Sequence, residues 1–169
     1  MISVVIPTFN SAATLAEAMA SLIPAAVDAL VREVVVADGG SSDDTFAIAD
    51  DAGARFIHAE GDRAALIAAG CAAAKGPWLL ILYPEVRLGS EWIAAAKAHL
   101  ADYPRQAAHF RLALDEHGVV ARLKEAGAAL FGGAGGEQGQ LIPKALYEDG
   151  GARRSRPLPA RAFRIGASR

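Results

Sequence analysis

A single cysteine, Cys71, stands in the whole chain, so neither an intrachain disulfide nor a cysteine-cluster metal site can form. That suits a reducing compartment. Excess charge is scarce too. The 17 Lys and Arg against 19 Asp and Glu leave a net charge of −2, without the basic surplus of a general polyanion binder, so nucleic acid is not an expected partner. A long apolar span is also missing: the longest uncharged apolar run, Ala64 to Ala74, is too short to cross a bilayer, which takes about 20 residues. No basic cluster precedes ISVVIP, so a signal peptide is not expected and the chain reads as cytoplasmic. The glycine signature G-x-G-x-x-G is absent after the first strand, where PTFNSA stands instead, and there is no Walker lysine motif. A nicotinamide enzyme and an ATPase are both disfavoured.

What the chain does have is apolar material, 53% of 169 residues, enough for one domain with a sizeable core. ISVVIP (2–7) is a β-branched run closed by a proline and predicts a strand buried on both faces. A helix is expected from Ser11, with Leu15, Met19 and Leu22 on one stripe, Thr14 and Glu17 as a capping pair, and Pro24 as its break. EVVVA (33–37) is the second strand, 43–52 the second helix, and ARFIHA (54–59) the third strand. RAALIAAGCAAA (63–74) predicts a helix, WLLIL (78–82) a fourth strand, and Ser90 caps a helix reaching Tyr103. Strands alternating with helices imply an α/β fold, a mainly parallel sheet with helices on both faces. Ligands in such sheets bind beyond the carboxyl ends of the strands, which here means Pro7 to Asn10, Asp38 to Asp43 and Tyr83 to Arg87.

From Ala107 the pattern changes. AHFRLALD alternates like a half-exposed strand, GVVARLKEAGAALF (118–131) looks helical, FGGAGGEQG is a glycine-rich loop, and the remainder reads as irregular. The stretch ARRSRPLPARAFRIGASR holds six arginines and no acid. It is either a solvated, flexible tail or a surface that touches phosphates or the anionic inner face of a membrane. His58 and His109 lack a second ligand at helical or hairpin spacing and read as packed or surface residues, while Trp78 and Trp92 read as core.

EVVVADGGSSDDT (33–45) carries the strongest local signal. Asp38 ends a buried strand and is followed by Gly39 and Gly40. A carboxylate there can accept bonds from a ligand's base or ribose, about 1.5–3 kcal/mol each when charge-assisted. Glycines beside it let the ligand approach the backbone. The same residues also suit a plain turn capped by Asp38, with Ser41, Ser42 or Asp43 capping the next helix, and spacing alone leaves both readings open.

Taken in order, SVVIPTFNSAATLAEAMASL, EVVVADGGSSDDT and GDRAALIAAGCAAAKGPWLLIL resemble the family 2 glycosyltransferases, and among them the short bacterial members with a strand-terminal VDGGS motif. The resemblance implies the GT-A fold, a nucleoside-diphosphate sugar donor, and a divalent metal, Mn2+ or Mg2+. It implies that Pro7, Thr8, Phe9 and Asn10 line the nucleoside pocket, with Phe9 stacking on the base unless it is plain core. Asp38, with Gly39 and Gly40, would hold the base or ribose, and Arg63 would reach the nucleotide unless it is a solvated charge. Residues 1–106 would form the nucleotide-binding half of a single domain and 107–169 its acceptor-side half.

Two departures from the family pattern bear on chemistry. Its acid-x-acid metal motif is replaced by Tyr83-Pro84-Glu85-Val86, leaving Glu85 as the candidate ligand, with Arg87 as a further charge for the diphosphate. Where inverting relatives place an acid pair that deprotonates the acceptor, the chain reads Leu158-Pro159-Ala160-Arg161. Glu137 and Asp149 are the remaining base candidates. The expected function is hexosyl-type transfer from a nucleotide sugar to an acceptor, with inversion. The alternative is a degenerate relative that binds a sugar nucleotide or a partner without catalysis.

Overall fold

Seven consecutive buried residues, Ile2–Thr8, make β1, and their burial on both faces explains the unbroken apolar run. The computed structural model describes residues 1–113, 139–150 and 155–164. After β1 come α1 (Ala12–Ala20), α2 (Ile23–Val27), β2 (Val31–Asp38), α3 (Thr45–Asp51), β3 (Arg55–His58), α4 (Arg63–Ala73) and β4 (Trp78–Ile81). Then follow β5 (Val86–Leu88), α5 (Trp92–Asp102), β6 (Ala107–Ala113), β7 (Gln140–Pro143), α6 (Lys144–Glu148) and β8 (Ser155–Arg164). All eight strands share one sheet in the order β3-β2-β1-β4-β7-β6-β8-β5.

The first four strands are parallel, with Val4 level with Val34 on one side and Leu80 on the other. Beyond β4 the sheet turns mixed: β7 runs antiparallel to β4 and β6, and β8 runs parallel to β6. From β1 the chain moves outward to β2 and β3, then returns to place β4 on the other flank of β1. The reversal makes the carboxyl ends of β1 and β4 a topological switch point, where open α/β sheets form their ligand crevice.

Helices cover both faces. On one, Leu15, Met19, Leu22, Val36, Leu80, Trp92 and Phe110 belong to a large core cluster; on the other, Val5, Cys71, Leu79 and Ile142 form a smaller one with Ile67 and Tyr147. Gly70 lets α4 lie close on β1, since a Cβ there would collide with Val5 Cγ1. Trp78 and Trp92 are both buried.

Several local expectations need correction. The break expected at Pro24 falls between α1 and α2, and Pro24 itself sits in the first turn of α2, where a missing N–H costs nothing. Ser11, not a Thr14–Glu17 pair, is the N-cap of α1, and Glu91, not Ser90, precedes α5. Residues read as irregular after 139 form β7, α6 and β8. β6 is buried on both faces at its start, with Ala107 in the smaller cluster and Ala108 and Phe110 in the larger one, while His109 is partly exposed as the alternation predicts. Residues 155–164 of the arginine-rich stretch form a strand, with Arg156 over the Tyr103 ring at 4.1 Å. The helix expected over 118–131 and the glycine-rich loop lie outside the described residues. β5 pairs with β8, Val86 opposite Arg164, so the expected halves 1–106 and 107–169 interleave in one sheet. Among the described residues, no helix is long and apolar enough to cross a membrane.

Candidate functional site

The turn after β1 and the turn after β2 are tied together at Asp38. This residue is 2% exposed. Its Oδ1 accepts from Thr8 Oγ1 at 2.8 Å and Ser41 Oγ at 2.5 Å, and its Oδ2 from the N–H groups of Gly40 at 2.9 Å and Ser41 at 2.7 Å. Burial pushes the carboxyl pKa up, but the bonds from Ser41, Thr8 and Gly40 outweigh it and hold it below the usual range. A carboxylate offers about four lone-pair sites, and these bonds use them. Of the two roles open to Asp38 in the sequence, capping of the turn is the one this geometry displays.

Other bonds extend the lacing. Asn10, at φ 48°, donates its N–H to Ser41 Oγ at 2.7 Å and accepts the Ser42 N–H on Oδ1 at 2.9 Å. The left-handed backbone at Asn10 suits asparagine, the side chain best able to bond locally there. Asp43 Oδ2 accepts the Ala12 N–H at 3.0 Å, and the Ser11 N–H donates to Thr45 Oγ1 at 2.9 Å.

A cleft of about 400 Å³ opens over these turns. It is lined by Pro7, Thr8, Phe9 and Ser11 from the end of β1, Gly39 from the end of β2, Gly61, Arg63 and Leu66 from the start of α4, and Pro84 and Glu85 from the β4–β5 turn. Phe9 is 63% exposed, so it is not core. A Cβ on Gly39 would sit 3.3 Å from Leu66 Cδ1 and 3.5 Å from Phe9 Cδ2, so glycine keeps the space beside the ring open. Asn10, Asp38 and Gly40 do not line the cleft; they brace the turns that do. Arg63 is placed by its neighbour: Asp62 is the N-cap of α4, its Oδ1 accepting the Ala65 N–H at 2.9 Å. The Arg63 guanidinium lies 5.0 Å from the Tyr83 ring centroid and 3.8 Å, Nη2 to Oε1, from Glu85. Glu85 in turn sits in a tight turn closed by the Val86 N–H on Tyr83 O at 3.0 Å.

The cleft thus sits at the switch point and joins an exposed aromatic ring, bare backbone and a cation. The model of glycosyl transferase family 2 matches residues 3–112. The chain belongs to glycosyltransferase family 2. Among solved structures, S. aureus TarS (residues 1–349) superposes with a TM-score of 0.68 at 18% identity, covering 88% of this chain and 48% of that one. Glucosyl-3-phosphoglycerate synthase from Mycobacterium tuberculosis, in complex with Mn2+, UDP and glucosyl-3-phosphoglycerate, gives 0.68 at 19% identity, over 100% of this chain and 72% of that one. The same synthase with Mn2+ and UDP-glucose gives 0.69 at 19% identity, over 100% and 71%. These likenesses show a shared GT-A fold, and the chain spans about half of the TarS fragment. No curated protein matches the chain in sequence.

A family 2 enzyme of this fold implies a divalent ion, and the donor set can be tested for it. Among the described residues no three His, Cys, Asp or Glu side chains converge on one point. Glu85 is the carboxylate that lines the cleft, and that of Asp38 is fully engaged. Mg2+-like ions are commonly held by one or two carboxylates plus substrate phosphates. Glu85 therefore fits an ion that arrives with a diphosphate, not a resident ion in an all-protein cage.

The base candidates fare differently. β7 runs from Gln140, opposite Ile81, to Pro143, opposite Trp78, so α6 and Asp149 behind it lie at the amino ends of the parallel strands, across the sheet from the cleft. Asp149 is not brought to the site. Leu158 and Ala160, where relatives would carry acids, are buried within β8. Glu137 lies outside the described residues. Arg87 turns away from the cleft, its Nε 3.0 Å from Glu17 Oε1 and its guanidinium over Phe163 at 4.5 Å. His109 Nδ1 meets Ser155 Oγ at 2.9 Å. Sequence reasoning missed Ser11, Gly61 and Leu66 as cleft residues. Only Gly61, at φ 116° just before the Asp62 cap, left a readable trace as a turn glycine ahead of a helix.

Proposed function

We propose that the chain is an inverting glycosyltransferase that takes a hexosyl group from a nucleoside-diphosphate sugar and passes it to an acceptor hydroxyl. The observation that carries this is the switch-point cleft lined by Phe9, Gly39, Arg63 and Glu85, in a chain of the family. Phe9 offers a face on which a base stacks, and Gly39 admits the nucleoside to the backbone. Asp38 is a positioning residue: it holds Thr8, Gly40 and Ser41, and through them the turns that carry Phe9 and Gly39. Arg63 meets the diphosphate, where negative charge grows as the bond to the sugar breaks, and a cation fixed there before reaction stabilises that charge. Glu85 would hold a divalent ion, Mn2+ or Mg2+, which supplies further neutralisation of the leaving diphosphate when bound.

A second reading is favoured by one observation: among the described residues, Glu85 is the acid that lines the cleft, and no other stands ready as a base. A positioned base contributes about a hundred- to ten-thousand-fold in rate. A protein without one would bind a sugar nucleotide, or present it to a partner, with little transfer. Membrane contact through exposed arginines such as Arg156 belongs to the same set of proposals.

Melting temperature with Mn2+ plus UDP, GDP or dTDP tests the donor site, with a rise expected for at least one. No rise with any of the three defeats both readings. Release of nucleoside diphosphate from a sugar nucleotide, assayed across acceptors, then separates them: binding without release favours the non-catalytic reading.

A further inference from the structure

We infer that Arg63 and Glu85 form a latch across the cleft, which a donor's diphosphate opens by taking Arg63, releasing Glu85 to the divalent ion. The inference rests on the donor site proposed above and goes beyond it by fixing how the two ligands depend on each other.

The two side chains come from separate, anchored pieces of backbone. Arg63 is the first residue of α4, behind the Asp62 cap, and Glu85 sits in the turn between β4 and β5. They meet at 3.8 Å, with 59% and 38% of their side chains exposed. That separation exceeds a hydrogen bond, and an exposed pair of this kind is weak. A diphosphate offers Arg63 a doubly bonded, more highly charged partner, so the exchange runs toward the ligand. Glu85, once released, would be available as a carboxylate oxygen ligand to a divalent ion carried by the diphosphate, which would offset the loss of its partner.

Before the diphosphate arrives, Glu85 is partly neutralised by Arg63, and no cluster of three metal-ligating side chains supplements it among the described residues. Metal alone then has little to bind. Once the nucleotide is present, the same carboxylate and the phosphate oxygens face the ion together. By linkage, whatever the nucleotide adds to metal affinity the metal adds to nucleotide affinity.

The counterintuitive consequence is that removing the Glu85 charge strengthens nucleotide binding when metal is absent. Calorimetric titration with UDP in EDTA compares wild type with Glu85→Gln, and the variant is expected to bind about 2- to 5-fold tighter, the range matching an exposed ion pair. With Mn2+ the order reverses: wild type tightens and the variant does not. Mn2+ alone shows no saturable binding to either. Simple repulsion of the anion by Glu85 would also tighten UDP in EDTA, so the Arg63 side-chain Nε–H signal is followed by NMR without ligand. The latch requires Glu85→Gln to shift that signal. An unshifted signal, no gain in EDTA, or saturable Mn2+ binding to the empty wild type each overturns the latch while leaving the donor site standing. A wild type that binds none of UDP, GDP and dTDP removes the donor site and the latch with it.

Discussion

Replacing Asp38 by alanine removes one acceptor group and strands four donors, three of them on the turn after β2 and the fourth, the Thr8 hydroxyl, at the end of β1. Thr8 is 1% exposed and its hydroxyl loses its partner outright, whereas Gly40 is exposed and Ser41 half-buried. Bonds to a charged acceptor contribute about 1.5–3 kcal/mol each, and counting Thr8 in full and the others in part gives a loss of about 2–4 kcal/mol. For a protein of this size that lowers the melting temperature by roughly 5–15 °C. Differential scanning calorimetry of the ligand-free protein measures it. Asp38→Asn should lose about half as much, since its oxygen can serve the two N–H groups while its NH2 faces two hydroxyls able to rotate and accept. The sign with pH follows from the depressed carboxyl pKa. Its contribution is present above the unfolded value of about 3.9 and is lost as pH falls through the folded one, so the gap between wild type and Asp38→Ala narrows below about pH 4. If the ligand-free variant melts with wild type and only nucleotide affinity falls, Asp38 touches ligand and the positioning argument is wrong.

Three other perturbations probe separate parts of the molecule. Phe9→Ala should weaken UDP binding about 5- to 100-fold, the worth of one base–aromatic stack, while the melting temperature stays put because the ring is 63% exposed; equal loss of both would make Phe9 structural. Gly70→Ala, which gains about 1 kcal/mol of helix propensity elsewhere, should here destabilise by about 1–3 kcal/mol because the new Cβ meets Val5, as a urea unfolding curve would show. Burial pushes the Cys71 thiol up to about 11, against a small opposing effect of the Tyr147 hydrogen bond. Cys71 should therefore resist iodoacetamide at pH 8 in the folded protein and react readily in urea, and rapid native labelling would contradict its place in the core.

The parts of the fold that could be read from sequence are those buried on both faces. β1, β4 and the second half of β2 are short, largely apolar, β-branched or aliphatic runs that fit central parallel strands, so their carboxyl ends, and with them Phe9, Gly39 and Glu85, could be marked as site residues. β5 and β7 are too short to show a period, and β8 hides behind Pro157 and Pro159. Both prolines fall where the β6–β8 register slips, His109 facing Pro157 but Arg111 facing Arg161, and a proline's missing N–H is tolerated at such an irregularity. The role of Asp38 was ambiguous for a different reason. Capping and ligand binding use the same residue type at the same strand end, and only the positions of Thr8 and Ser41 distinguish them. Asp149 looked usable because it belongs to an acid pair close in sequence to the missing one, but strand direction, which no local pattern encodes, carries it to the amino ends of the strands.

The pairing of Val86 with Arg164 has a bearing on how the molecule comes into being. The side of the cleft that carries Phe9 and Gly39 is built from β1, β2 and the start of α4, all of which precede β4 in the chain. The turn bearing Glu85 leads into a three-residue strand whose sheet neighbour is β8, made much later. A nascent chain would thus hold the strand after Glu85 first through α1, where Arg87 meets Glu17, and would complete its sheet pairing only once β8 is made.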